Sequence, residues 1–125
     1  MTFKAMVEIN LDPVPKPRMT VADKWKHRPV VDRYFAFKDA IRLVCKKKKF
    51  KLGSSYKVEF LIMMPKSWSK KKKEELFGKP HTKKPDLDNL IKALNDCLLD
   101  EDEGVWSIEA SKVWWDEGRI LIWNK

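Results

Sequence analysis

The stretch Lys84-Pro85-Asp86-Leu87-Asp88-Asn89-Leu90-Ile91-Lys92 places two carboxylates two residues apart and a lysine four residues after the second. Proline disfavours a helical conformation in the residue before it, so we expect an extended chain up to Asp86 and a helix from about Asp88. Side chains two apart point the same way in an extended segment, so both carboxylates can face one point near the positive end of that helix. The stretch therefore predicts a cation site at a helix N-terminus.

Convergent carboxylates suit Mg²⁺, with Mn²⁺ able to substitute, because both ions prefer oxygen ligands and bind substrate phosphates. Lys92 follows Asp88 by one helical turn and can neutralise charge on such a phosphate or orient the attacking water. The acidic run at 100–103 offers a third carboxylate, for which we choose Asp102, at a turn before a strand, with Asp100 as the alternative. A purely structural explanation also exists, in which Asp88 caps the helix and pairs with Lys92.

Other site chemistries find little support. The acidic run does not have the spacing of a calcium-binding EF-hand loop. The chain has only four glycines and no glycine-rich phosphate loop, so we expect no small-molecule cofactor.

The charge of the chain is divided unevenly. Of the formal net charge of +9, residues 1–84 carry +15 (23 Lys and Arg, 8 Asp and Glu) and residues 85–125 carry −6 (4 and 10). A basic part joined to an acidic part indicates a polyanion-binding face beside a cation site, although uneven surface charge without a function is the simpler alternative.

Three basic segments are candidates for contact with a nucleic-acid backbone. They contain Lys16, Arg18, Lys24, Lys26 and Arg28 in a proline-rich loop, Lys70, Lys71, Lys72 and Lys73 in a short helix, and Lys83 and Lys84 before the carboxylates. Trp25 lies among the loop cations and either stacks on a base or sugar or folds back on the core. The four consecutive lysines can equally form a solvated helix face.

The periodicity of apolar residues predicts an α+β domain spanning 1–125, with a mixed β-sheet and two main helices. We expect strands at 5–11, 56–64, 105–115 and 119–123, and long helices at 31–48 and 88–99. We expect a short helix within 68–77, with Ser69 as its N-cap. Residues 116–118 are predicted to form a hairpin turn that joins the last two strands.

Cys45 and Cys97 have no CxxC spacing and are expected to be buried, reduced thiols. No apolar run is long enough to span a membrane, and the first nine residues lack the apolar segment of a signal peptide. We therefore expect no membrane association and a cytoplasmic location.

The motif at 84–92, followed by Asp96 and by an acidic pair ahead of Val105, resembles the RusA family of Holliday junction resolvases, common in phages and prophages. The resemblance covers nearly the whole chain, and the loop at 15–20 is also similar to that family. It implies a RusA-like fold and a homodimeric, Mg²⁺-dependent endonuclease that cuts branched DNA symmetrically, in a bacterial or phage-infected host cytoplasm.

The resemblance also implies roles for individual residues. Asp86 and Asp88 match the family's first two catalytic aspartates, which hold the metal, and Lys92 matches its catalytic lysine. Glu101 and Asp102 match its acidic pair, with Asp102 as the third metal-binding carboxylate. The chain departs from the family by its Glu101 and by a shorter connection after Lys92. A catalytically silent DNA-binding protein and a basic protein–protein adaptor are the two alternatives to a nuclease.

Overall fold

A central strand with apolar residues on both faces organises the domain. The computed structural model describes residues 5–101 and 103–125, without the side chain of Lys24. The elements run in the order β1 (Ala5–Ile9), a 3₁₀ turn (Val21–Lys24), α1 (Pro29–Lys47), β2 (Ser55–Met63), α2 (Lys70–Leu76), α3 (Leu87–Leu98), β3 (Ser107–Trp115) and β4 (Arg119–Asn124). The predicted α+β class with a mixed sheet and two main helices is confirmed.

The sheet has the strand order β1-β4-β2-β3. β4 runs antiparallel to both β1 and β2, whereas β3 pairs with β2 in parallel. Val58 and Phe60 of β2 are buried on one face and Leu61 on the other, so β2 suits an interior position.

The predicted hairpin at 116–118 is wrong. β3 and β4 are not neighbours, because β2 lies between them and pairs with both. Three residues can span the roughly 9.6 Å between strands two places apart, so a short connection with turn residues does not require adjacent pairing. The link passes the end of β2, where the backbone N–H of Met64 donates to the carbonyl of Trp115 at 3.0 Å.

The two long helices cover one face of the sheet. In α1, Tyr34, Phe37 and Ile41 are buried at helical spacing, and Pro29 occupies the first turn, where its missing N–H costs nothing. In α3, Leu90 and Leu94 pack into the same core. They meet the inward residues of the strands, which include Val7, Ile9, Tyr56, Val58, Phe60, Ile120 and Ile122. This packing fixes the orientation of α3 and hence of its N-terminus.

Two local predictions, on Ser69 and on the cysteines, are also confirmed. Ser69 caps α2, since its Oγ accepts a hydrogen bond from the backbone N–H of Lys72 at 3.2 Å. Cys45 and Cys97 are free and buried, and burial raises the pKa of the Cys97 thiol to about 11. In the part of the chain that the structure describes, no helix is long and apolar enough to cross a bilayer.

Candidate functional site

The approach to the two aspartates is a segment that lies along the outer edge of β3. This segment, residues 78–86, is called the connector below. The backbone N–H of Gly78 donates to the carbonyl of Trp114 at 2.8 Å, and the N–H of His81 donates to that of Lys112 at 3.0 Å. The connector therefore covers the edge of the sheet and arrives at α3 from a fixed direction.

Asp86 and Asp88 lie at the start of α3. Asp86 is the N-cap residue, with an extended backbone (φ −66°, ψ 145°) as expected for this position, and the helix begins at Leu87. Asp88 follows in the first turn, and both side chains are exposed. The backbone N–H groups at this end of a helix carry partial positive charge, which favours ionised carboxylates.

Lys92 lies one turn after Asp88, and its Nζ is 3.8 Å from Asp88 Oδ2. The side chains are 67% and 73% exposed, so this pair contributes little to stability and both groups remain accessible to a ligand. Asp86 makes no side-chain capping bond to the helix. The structural explanation is thus half met: the Asp88–Lys92 pair exists, but Asp88 is not the cap.

Two grooves lie along α3, one at its start and one from Lys92 to beyond its end. The first, called the Asp86 groove, has a volume of about 670 Å³ and is lined by the polar residues Asp12, Arg33, Lys84, Asp86 and Asn89 and by apolar residues of β2 and the proline-rich loop. The second, called the Lys92 groove, has a volume of about 610 Å³ and is lined by Lys16, Lys92, Asn95, Asp96, Leu99, Asp100, Glu101 and Glu103. A ligand that contacts both Asp86 and Lys92 must cross the first turn of α3.

The structure places Asp100, the alternative third carboxylate, in a different groove from Asp86. Asp102 lies outside the described residues. Asp100 shares the Lys92 groove, whereas Asp86 lines the other groove. Within residues 5–101 and 103–125, no three His, Cys, Asp or Glu side chains are grouped so that they could hold a metal ion.

An ion-pair network on α3 supports one wall of the Lys92 groove. Asp96 accepts a hydrogen bond from the Tyr34 hydroxyl and pairs with Lys38 at 3.3 Å and with Lys16 at 3.4 Å. Partial burial raises the pKa of Asp96, but the Tyr34 hydrogen bond and the two ammonium groups outweigh burial and hold the pKa below its ordinary value. Asp96 stays ionised and pairs with Lys16, which lines the same groove as Lys92.

The proline-rich loop presents its cations unequally. Arg28 binds Asp23 through Nε at 2.7 Å and donates from Nη2 to the carbonyl of Arg18 at 2.9 Å, so it closes the loop on itself. Arg18 and Lys26 are exposed. Trp25 is 63% exposed, which excludes the interpretation that it folds back on the core.

The other predicted cations are mostly accessible. Lys70, Lys71, Lys72, Lys83 and Lys84 are exposed, and Lys73 is half-buried. The Nζ of Lys72 lies 4.3 Å from the ring centre of Trp68. The side chain of Lys24 lies outside the described part of the chain.

A family profile described as endodeoxyribonuclease RusA matches residues 10–123 of this chain. The chain belongs to the RusA endodeoxyribonuclease family. The match includes the elements from the 3₁₀ turn to β3 and all of β4 but its last residue, and it confirms both the resemblance and the nuclease class. No curated protein matches the chain.

In this RusA-family chain, sequence reasoning missed the residues that support the site from other elements. Tyr34 and Lys38 of α1 meet Asp96, and Arg33 of α1 lines the Asp86 groove. The available signal was the position of Asp96, four residues after Lys92 on the same helix face. Nothing in the sequence of α1 distinguishes Arg33 and Lys38 from its other cations.

Proposed function

We propose that the protein is a Mg²⁺-dependent endonuclease that cuts four-way DNA junctions and related branched DNA by symmetric phosphodiester hydrolysis. The observation that carries this proposal is the accessible group of Asp86, Asp88 and Lys92 at the N-terminus of α3, in a chain of the RusA endodeoxyribonuclease family. The exposed lysines and Arg18 supply positive charge of the kind that binding to a DNA backbone requires.

The donor set fits a divalent ion. Asp86 and Asp88 offer hard oxygen ligands that are exposed. Mg²⁺ is commonly bound through one or two carboxylates, with waters and substrate phosphates completing its octahedron. When bound, such an ion supplies a Lewis acid for the phosphate and lowers the pKa of a water. Asp86, Asp88 and Asp102 would hold it, with Asp100 as the alternative to Asp102.

Lys92 would act on the phosphate of the cut strand. Its ammonium is within 4 Å of Asp88, so a phosphate bound to a metal ion that Asp88 holds would come under the positive charge of Lys92. The developing negative charge of the transition state strengthens that attraction. Loss of Lys92 is therefore expected to lower the rate of cleavage more than the affinity for DNA.

The basic segments would hold the rest of the junction. The proposed contacts to the DNA backbone are Lys16, Arg18, Lys24, Lys26, Lys70, Lys71, Lys72, Lys73, Lys83 and Lys84. Arg28 is proposed to act with them by holding the carbonyl of Arg18 in place. Affinity for DNA should then fall steeply with salt, because each neutralised phosphate releases counterions.

A homodimer completes the proposal. A two-fold symmetric pair presents two identical sites to a junction and can cut two opposing strands. Light scattering coupled to gel filtration should then give a mass of twice 14.8 kDa.

The test is the variant Asp88→Asn, with Asp39→Asn, an exposed carboxylate of α1, as the matched control. Each variant is assayed for cleavage and for binding of a labelled four-way junction in Mg²⁺. We expect Asp88→Asn to lose cleavage and keep junction binding, and Asp39→Asn to keep both. Loss of both activities in Asp88→Asn alone would mean that Asp88 is structural and would overturn its role as a metal ligand.

A further inference from the structure

Lys112 of β3 holds the connector immediately before the first aspartate. Its Nζ donates to the carbonyl of Pro85 at 2.7 Å and to the carbonyl of Lys83 at 2.5 Å. These two carbonyls lie on either side of Lys84 and directly precede Asp86. The ammonium of Lys112 therefore holds residues 83–85, the last part of the connector before Asp86, through two hydrogen bonds.

These bonds continue the attachment of the connector to β3. The backbone N–H of Trp114 donates to the carbonyl of Lys79 at 3.0 Å, and the N–H of His81 donates to the carbonyl of Lys112 at 3.0 Å. After His81 the side chain of Lys112 makes the next two bonds to the connector. Because the donor is the charged ammonium of Lys112, each of these two hydrogen bonds is stronger than a neutral one.

The surroundings keep this ammonium in its place. His81 is 4% exposed and its ring lies against Trp114, with 4.3 Å between ring centres. Burial lowers the pKa of His81, and the nearby charge of Lys112 lowers it further, so His81 stays neutral and does not repel Lys112. The stem of Lys112 is half-buried, which limits the positions that its ammonium can reach.

We propose that Lys112 is a positioning residue of the nuclease site, which holds the connector so that Asp86 and Asp88 stand together at the start of α3. The proposal rests on the proposed function, because it assigns these aspartates to the reaction. Lys112 acts through the backbone of Lys83 and Pro85 and touches neither aspartate through a hydrogen bond in the part of the chain described. Displacement of catalytic groups by about 1 Å can lower a rate by about 100-fold.

The connector offers a readout that needs neither metal nor DNA. Trypsin cuts after lysine and arginine but not before proline. Lys79 and Lys84 both precede prolines, so the Lys83–Lys84 bond is the one tryptic site between residues 78 and 86. The carbonyl of that bond is one of the two that Lys112 holds.

The experiment compares wild type, Lys112→Met, Lys112→Arg and the matched control Lys57→Met. Lys57 lies in β2, next to β3, and pairs with Glu109 at 3.6 Å, away from the connector. Methionine keeps an apolar stem and removes the ammonium. Each protein is treated with trypsin in EDTA, with the cut at Lys83–Lys84 followed by mass spectrometry. Junction cleavage and junction binding are then measured in Mg²⁺.

We expect tryptic cutting of Lys112→Met at this bond to be about tenfold faster or more, because both charge-assisted hydrogen bonds are lost and the loss of even one shifts local opening by about that factor. Its cleavage of junctions should fall by about 10- to 100-fold with binding retained. Lys112→Arg should recover part of both properties, and Lys57→Met should match wild type.

Unchanged tryptic cutting in Lys112→Met would overturn the proposal whatever the nuclease assay shows. Faster cutting with full nuclease activity would also overturn it, because the connector would then be free without loss of the site. A weakened junction binding with unchanged turnover at saturating DNA would assign Lys112 to a DNA contact instead. Failure of wild type to cut DNA would refute the proposed function and leave the tryptic result as a separate measurement.

Discussion

Lys16 and Lys38 allow a direct test of which cations act on DNA. Both pair with the same carboxylate, at 3.4 Å and 3.3 Å from Asp96, but only Lys16 lines the Lys92 groove. Replacing either by methionine removes one positive charge and one ion pair. Partly exposed pairs of this kind contribute about 0.2–1 kcal/mol each, so we expect both variants to lose a similar, small amount of stability.

The two variants should differ in how their affinity for DNA depends on salt. Lys16→Met removes a phosphate contact, so the slope of log affinity against log salt should become shallower by about 1. Lys38→Met should keep the wild-type slope. Junction affinity is measured by fluorescence anisotropy at four or more salt concentrations, and urea denaturation of the same samples gives the free energy of unfolding.

Equal changes of the salt slope in the two variants would refute this reasoning. That outcome would mean that Lys16 acts only by balancing Asp96, as Lys38 does. An unchanged slope in Lys16→Met would likewise remove Lys16 from the DNA contacts.

Three further variants test the packing around the site. In Gly118→Ala the new Cβ would lie 1.7 Å from Asp12 Oδ1 and 2.8 Å from Asp12 Cα, so rotation of the side chain cannot relieve the clash; we expect a loss of about 1–3 kcal/mol, measured by urea denaturation. Tyr56→Phe removes the hydroxyl that donates to the buried Asn95, which should lower the urea midpoint by an amount equivalent to about 1–3 kcal/mol without changing the slope m. Because its folded pKa lies below the ordinary 3.8, ionised Asp96 stabilises the fold above that value and loses the contribution as pH falls through the folded pKa. Asp96→Asn should therefore be less stable than wild type at neutral pH, and a difference that persists undiminished in acid would contradict this.

Local patterns in the sequence predicted the elements well. The spacing of Tyr34, Phe37 and Ile41 gave α1, and the alternation in β2 gave the central strand, because both depend on which side chains face one core. The predicted hairpin at 116–118 was wrong because strand pairing is not a local property. Turn residues specify a reversal of the chain, but the pairing of strands depends on β2, about 50 residues earlier.

For the site as well, the sequence predicted the local features but not the tertiary contacts. The positions of Asp86, Asp88 and Lys92 on α3 follow from the proline and the helix period, which are local. The network around Asp96 and the hold of Lys112 on the connector join residues 27 to 80 positions apart. Such contacts depend on tertiary packing, which no pattern in one sequence specifies.

The proposed function requires metal-dependent cutting of branched DNA. The most direct measurement is incubation of the purified protein with a labelled four-way junction and a matched linear duplex, each with Mg²⁺ and with EDTA. We predict paired nicks on opposing strands of the junction in Mg²⁺, no cutting in EDTA and little cutting of the duplex. Tight junction binding without nicks in Mg²⁺ or Mn²⁺ would contradict the account and indicate a silent DNA-binding protein, and indifference to DNA shape with little salt dependence would indicate an adaptor.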